Sequence, residues 1–171
     1  MAISLYDAAV PVYRQMLGAL DAMLERAAAN AAARGFDASV LLQSRLAPDM
    51  YPLARQVQIA CDNAKGAVAR IAGVEPPRHA DTEQTIDELR TRIATVLGYV
   101  DGFGRERLDG QEAREVTLAL RDRTLKFNAR DYLLHWALPN FYFHVTTAYD
   151  ILRHNGLEIG KGDYLGNTLA A

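Results

Sequence analysis

The sequence predicts an all-α protein: a four-helix bundle with a small β-hairpin inserted before the last helix. Three observations carry this expectation. Four long stretches repeat their apolar residues at a helical period. Glycines fall just past the ends of three of them, where helices stop. Only one short region, near residues 116–127, alternates apolar and polar side chains with a period of two.

The first helix is expected over residues 5–33. Its apolar residues recur as Leu5, Ala9, Val12, Met16, Leu20, Met23 and Ala27, and its alanine density favours a helix. Gly35 lies just past its end. The second helix is expected over residues 48–72, and a short helical turn at 39–44 can precede it. Its stripe is Met50, Leu53, Ala54, Val57, Cys61, Ala64, Val68 and Ile71, and Gly73, Pro76 and Pro77 prevent continuation. Ala54, Ala60, Ala64 and Ala67 are small enough to let a neighbouring helix approach closely. The third helix is expected over residues 82–103, with the stripe Ile86, Leu89, Ile93, Leu97 and Val100. Asp81 is its expected N-cap, with Gln84 three residues on.

The period then changes. Val116, Leu118 and Leu120 alternate with Thr117 and Ala119; after Arg121-Asp122-Arg123, Leu125 and Phe127 alternate with Thr124 and Lys126. The hairpin must lean on the helices, because an isolated two-stranded ribbon is only marginally stable. The fourth helix begins after Asn128, a good N-cap with Asp131 in the first turn, and ends near Asn155-Gly156. It should be about 40 Å long and kinked at Pro139. The glycine-rich residues 157–171 are expected to be irregular. The 171 residues suit one domain spanning 1–171.

Charge and composition exclude several classes. A net charge of -2 and no basic run speak against nucleic-acid or membrane partners. The first residues lack the pattern of a signal peptide, and Cys61 is the single cysteine, so a reducing, cytoplasmic setting is expected. No histidine shares the helix of Cys61, which reads as a small core hydrophobe.

The fourth helix carries the candidate site. On a helical wheel, Leu133, Ala137, Asn140, His144, Thr147, Ala148 and Ile151 form one stripe. Leu134, Phe141, Val145 and Leu152 widen it on one side, Trp136 and Phe143 on the other. A helix covered over so much of its circumference is expected to be central, or to face a second subunit in a homodimer. Asn140 and His144 fall in the middle of the covered arc. Burying either without a partner costs about 1–3 kcal/mol. Asp49, Gln56 and Asn63, spaced by seven on the second helix, form a polar line that can meet them. The expectation is a small inter-helix cavity lined by Gln56, Asn140 and His144, with Asp49 and Asn63 as outer members. The alternative is a hydrogen-bonded core pair with no ligand.

Other polar residues read as structural. His135 is nine residues from His144, on the opposite face of the helix, and is expected at the surface. His154 suits the negative end of the helix dipole, and His79 in the loop PPRHAD has no ligand-like neighbours. Lys161 and Asp163 are expected to fix the tail to the bundle.

The runs LPNFYFHVTTAYDILRHNGLEIGKGDYLG and DMYPLARQVQIACDNAK resemble an uncharacterised bacterial branch of the DinB-like (YfiT-like) superfamily, and the resemblance covers essentially the whole chain. It implies a four-helix bundle whose last helix carries His-x-x-x-His, joined by a histidine from the second helix. Many members bind metal, and some are metal-dependent thiol transferases. Here His144 fits the second histidine, Asn140 stands at the first, and Gln56 is nearest to the third ligand position. Amides are weak ligands for zinc and nickel, and a hard cation wants more carboxylates than this line offers.

The functional expectation is therefore a small-molecule-binding or regulatory protein with no tightly bound metal and no other cofactor. Its first rival is an atypical metal-dependent thiol transferase, with His144 as metal ligand or general base. Its second is a structural dimerisation module.

Overall fold

A computed structural model describes residues 3–166 of the chain. Ser4 starts the first helix: its hydroxyl accepts from the Asp7 N–H while the Asp7 carboxylate accepts from the Ser4 N–H. Helix α1 (Leu5–Arg34) then runs to Gly35, whose φ of 72° closes it in the left-handed region. After the short α2 (Ser39–Leu42), α3 (Leu53–Ala72) begins five residues later than expected. Pro52 is extended, with ψ at 169°, and a proline pushes the residue before it out of the helical region. Asp49 and Met50 therefore lie in the loop ahead of α3, where a Met50 N–H to Ala47 carbonyl bond makes a turn.

Helix α4 (Ile86–Asp101) also starts late. Thr85, not Asp81, is its N-cap, and Glu88 completes a reciprocal cap with bonds of 3.1 and 3.0 Å. Asp81 is drawn instead to the guanidinium groups of Arg55 and Arg92. A single turn, α5 (Arg105–Leu108), leads to the hairpin of β1 (Glu115–Ala119) and β2 (Thr124–Asn128). The strands are antiparallel, with Val116 opposite Phe127 and Leu118 opposite Leu125, and Val116 and Leu118 are buried against the helices.

Asn128 caps the next helical run, accepting from the Asp131 N–H at 2.8 Å. That run comprises α6 (Ala129–Tyr132), a π-helical segment (Leu133–Ala137) and α7 (Leu138–His154). The π segment replaces the plain kink expected at Pro139. The Leu138 N–H reaches back five residues to the Leu133 carbonyl, so Pro139 falls in the first turn of α7, where a missing N–H matters least. The tail is not wholly irregular: α8 (Lys161–Leu165) is one short helix, capped by the Asp163 carboxylate, which accepts from the Gly160 N–H at 2.7 Å. As expected of Asp163, it also pairs with Arg26 of α1. Residues 167–171 of the tail lie outside the described residues.

Helix α3 packs against α4 and α7, while α1 packs against α4, α7 and α8. Ala54, Ala60, Ala64 and Ala67 are all buried, in keeping with the close approach expected of them. Phe141 of α7 and Tyr13 of α1 are both fully buried and meet edge to face at 4.8 Å. It is α3, not the last long helix, that is covered nearly all round. On α7 the core face is Phe141, Val145, Ala148, Ile151 and Leu152, whereas Phe143 is 58% exposed. Tyr142 and Leu134 are exposed as well. The π segment widens the turn between Leu133 and Ala137, so a wheel drawn at one constant angle misplaces residues on either side of it. No described helix is long and apolar enough to cross a membrane.

Two substitutions test this core. Phe141→Ala should lower unfolding free energy by about 3–5 kcal/mol in urea titration, because the cavity it leaves is enclosed. The Tyr13 hydroxyl is buried and has no partner among the described residues. Tyr13→Phe should therefore be neutral or stabilise by about 1 kcal/mol, and a clear loss would reveal a partner for that hydroxyl.

Candidate functional site

Gln56 lies in the first turns of α3 and is 1% exposed. Its Nε2 donates to the Tyr51 carbonyl at 3.0 Å. That bond sets the orientation of the amide and turns Oε1 toward His144, whose Nδ1 lies 2.7 Å away. An amide oxygen only accepts, so Nδ1 carries the proton and donates. His144 Nε2 is then the ring atom with the free lone pair.

His144 is half-buried on α7. Desolvation, and after it the positive charge of Arg55, hold its pKa below the ordinary 6.5. The ring is therefore neutral at neutral pH, an acceptor rather than a cation. Phe143 stands edge-on to it at 5.2 Å. The Arg55 guanidinium lies over the Tyr51 ring at 6.0 Å, and Tyr51 is 58% exposed.

The other expected members are placed differently. Asn140 is half-buried one turn before His144, and its Nδ2 donates to the Trp136 carbonyl of the π segment at 2.8 Å. Asn63 donates to the Ile59 carbonyl of its own helix at 3.0 Å, two turns beyond Gln56. Asp49 is exposed in the loop before α3, removed from the polar line by the late helix start. So Gln56 and His144 are in direct contact, Asn140 shares the edge of α7, and Asp49 and Asn63 stand apart. Gln56 closes directly onto His144, and both α7 residues lie at a half-exposed edge. Clefts of about 490 and 460 Å³ occur elsewhere, one between α1 and the tail and one beside α4.

His135 and His154 are exposed. Cys61 is fully buried, and burial pushes its thiol up to about 12. What the sequence reading missed is Arg92. It sits on α4 only 5% exposed, among Asp62, Asp81 and Glu83.

The residues at the family's metal position do not fit a metal. Gln56 Oε1 is engaged by His144 Nδ1–H, and the Asn140 amide nitrogen is turned to its own helix. His144 Nε2 is the one strong donor left. Among the described residues no three His, Cys, Asp or Glu side chains gather in a metal-holding group.

A four-helix bundle with a small hairpin before its last long helix, which sets His144 against Gln56 of α3, is a DinB-like bundle. The chain belongs to the DUF1993 family, a domain of unknown function whose model matches residues 5–165. It is similar to a protein of known crystal structure from Shewanella denitrificans, described as a DinB family member. The two share 44% identity over 98% of this chain and 94% of that chain, with a TM-score of 0.88. No curated protein matches the chain.

The imidazole makes two measurable predictions. ¹⁵N-resolved NMR of His144 should show the Nδ1–H tautomer at pH 7.5; the Nε2–H form would contradict the Gln56 orientation. Since the folded pKa is below 6.5, the unfolded chain binds the proton first as pH falls. The contribution of His144 to stability is then present above pH 6.5 and is lost as pH drops toward the folded value. Urea midpoints of wild type and His144→Gln should converge or cross as pH falls from 7.5 to 5.

Proposed function

We propose that the protein is a small-molecule-binding or regulatory DinB-like bundle that works without a tightly bound metal, its binding point formed by Gln56, Asn140 and His144. The observation that carries this reading is the Tyr51–Gln56–His144 chain of hydrogen bonds, with links of 3.0 and 2.7 Å. It holds a neutral imidazole in one tautomer at a half-exposed edge, with Nε2 ready to accept. A ligand bearing an N–H or O–H donor matches that atom, and the exposed rings of Tyr51 and Phe143 offer it a flat apolar contact. The same lone pair is what a metal-dependent thiol transferase would need from His144, which keeps that reading second.

Leu134, Tyr142 and Phe143 are exposed on the same helical run, and exposed apolar side chains of this kind support a homodimer built on that run. Light scattering at micromolar concentration should then give twice the 18.9 kDa chain mass, and Phe143→Lys should halve it.

The ligand reading is tested by thermal-shift screening of amines, alcohols and amides against wild type and Gln56→Leu. Hits should raise Tm for wild type and lose most of their effect in the variant, whose imidazole is no longer held in one tautomer. Elemental analysis after dialysis against zinc, nickel and manganese checks the rival. About one metal per chain, lost in His144→Ala, would overturn the metal-free reading.

A further inference from the structure

A second polar site lies on the other side of α3. Residues 74–85 have no regular structure apart from a bend at Thr85, and they cross from α3 to α4. They are tied down through Arg92, whose side chain is 3% exposed. Its Nη1 donates to the Ala80 carbonyl at 3.1 Å and to the Glu83 carboxylate at 2.9 Å, and it forms an ion pair with Asp81 at 3.0 Å. Its Nη2 donates to Asp62 of α3 at 2.9 Å. Gln58 reinforces Glu83 at 2.8 Å, Lys65 pairs with Asp62 at 2.8 Å, and Arg55 pairs with Asp81.

The arrangement leaves two polar atoms unserved. Among the described residues, three buried side-chain nitrogens or oxygens lack any partner: the Tyr13 hydroxyl, His79 Nδ1 and Arg92 Nε. The first is in the apolar core. The other two belong to residues lining one cleft of about 460 Å³ between residues 78–83 and α4. More than nine in ten buried polar groups in folded proteins are partnered, so two orphan atoms on residues of one cleft mark an unmet hydrogen-bonding demand beside it.

The chemistry that would meet this demand follows from the donors. Arg92 Nε–H can only donate, and His79 donates from Nδ1 in one neutral tautomer and in its cationic form. Four cations (Arg55, Lys65, Arg78 and Arg92) face four carboxylates in this region (Asp62, Asp81, Glu83 and Glu88), so an acceptor is called for by the two orphans and not by a surplus of positive charge. The fourth carboxylate, Glu88, is used by the backbone N–H groups of Gln84 and Thr85 at the start of α4. We propose that the cleft beside α4 binds a small oxyanion, the carboxylate or phosphate group of a small molecule, held by Arg92 Nε–H and His79 Nδ1–H with Arg78 at the rim. It is separate from the Gln56–His144 pair and does not rest on the reading given to that pair.

Binding is linked to pH. Desolvation, then Lys65 and Arg92, lower the His79 pKa, while Asp62 and Glu83 oppose them. An anion in the cleft adds to that opposition, so it raises the His79 pKa and binds more tightly as pH falls through the range below 6.5.

The test is NMR titration of the full chain with sodium acetate and, separately, sodium phosphate, against sodium chloride at equal ionic strength. The readouts are the Arg92 Nε–H and His79 ring signals. Saturable shifts of both with acetate or with phosphate, tighter at pH 6 than at pH 8, are expected; whichever anion saturates identifies the group. Arg78→Ala, a rim change that leaves the buried network intact, should weaken binding several-fold. His79→Gln should flatten the pH dependence. Shifts that track chloride, that never saturate, or that appear at His144 instead of the cleft would overturn the proposal.

Discussion

The two polar regions inside this protein both answer to the covering of α3. The helix is enclosed by α1, α4 and α7, and its buried residues include Gln56, Gln58 and Lys65 alongside the alanines and Cys61. A buried amide or ammonium left alone costs on the order of 1–3 kcal/mol or more, so each of these side chains must recruit a partner from a neighbour. Gln56 recruits Tyr51 and His144, Gln58 recruits Glu83, and Lys65 recruits Asp62. The first link orients the histidine of the candidate site. The other two help pin the crossing segment beside α4. Both polar regions are consequences of putting an amide-bearing helix in the middle of an alanine-lined bundle.

The architecture was legible because the apolar period of each long helix is a local signal that tertiary packing reinforces. The four alanines of α3 announced close packing, and Val116, Leu118, Leu125 and Phe127 announced the hairpin; all are where the pattern put them. Boundaries were harder. Asp81 with Gln84 looked like a helix start, yet Thr85 with Glu88, the same spacing shifted four positions along the chain, was the better one. A carboxylate near two guanidinium groups gains more from pairing with them than from capping. Tyr51-Pro52 was the readable signal for the true start of α3, and it removes Asp49 from the site.

The candidate site was half legible. Gln56 and His144 are 88 positions apart, and their meeting was inferred from faces of two helices alone. What could not be read was the π segment, because a widened turn leaves no period in the sequence. Constant-angle reasoning therefore placed Asn140 and His144 in the middle of a covered arc when they sit at its edge. Arg92 was equally hidden. An arginine among helical leucines looks solvent-facing until the partners that neutralise it, Asp62, Asp81 and Glu83, are known to converge from two other segments.

The inertness of Cys61 has a use of its own. It is the single sulfhydryl of the chain, it has no exposed surface, and its thiol is pushed up to about 12 in the packed layer around α3. A thiol reagent cannot reach it, or find it ionised, while that layer is closed. Modification then proceeds only through molecules that have opened around the innermost helix, and the rate of labelling counts those openings. The chain carries a built-in reporter of its own breathing, placed where the first separation of α3 from its neighbours would be felt.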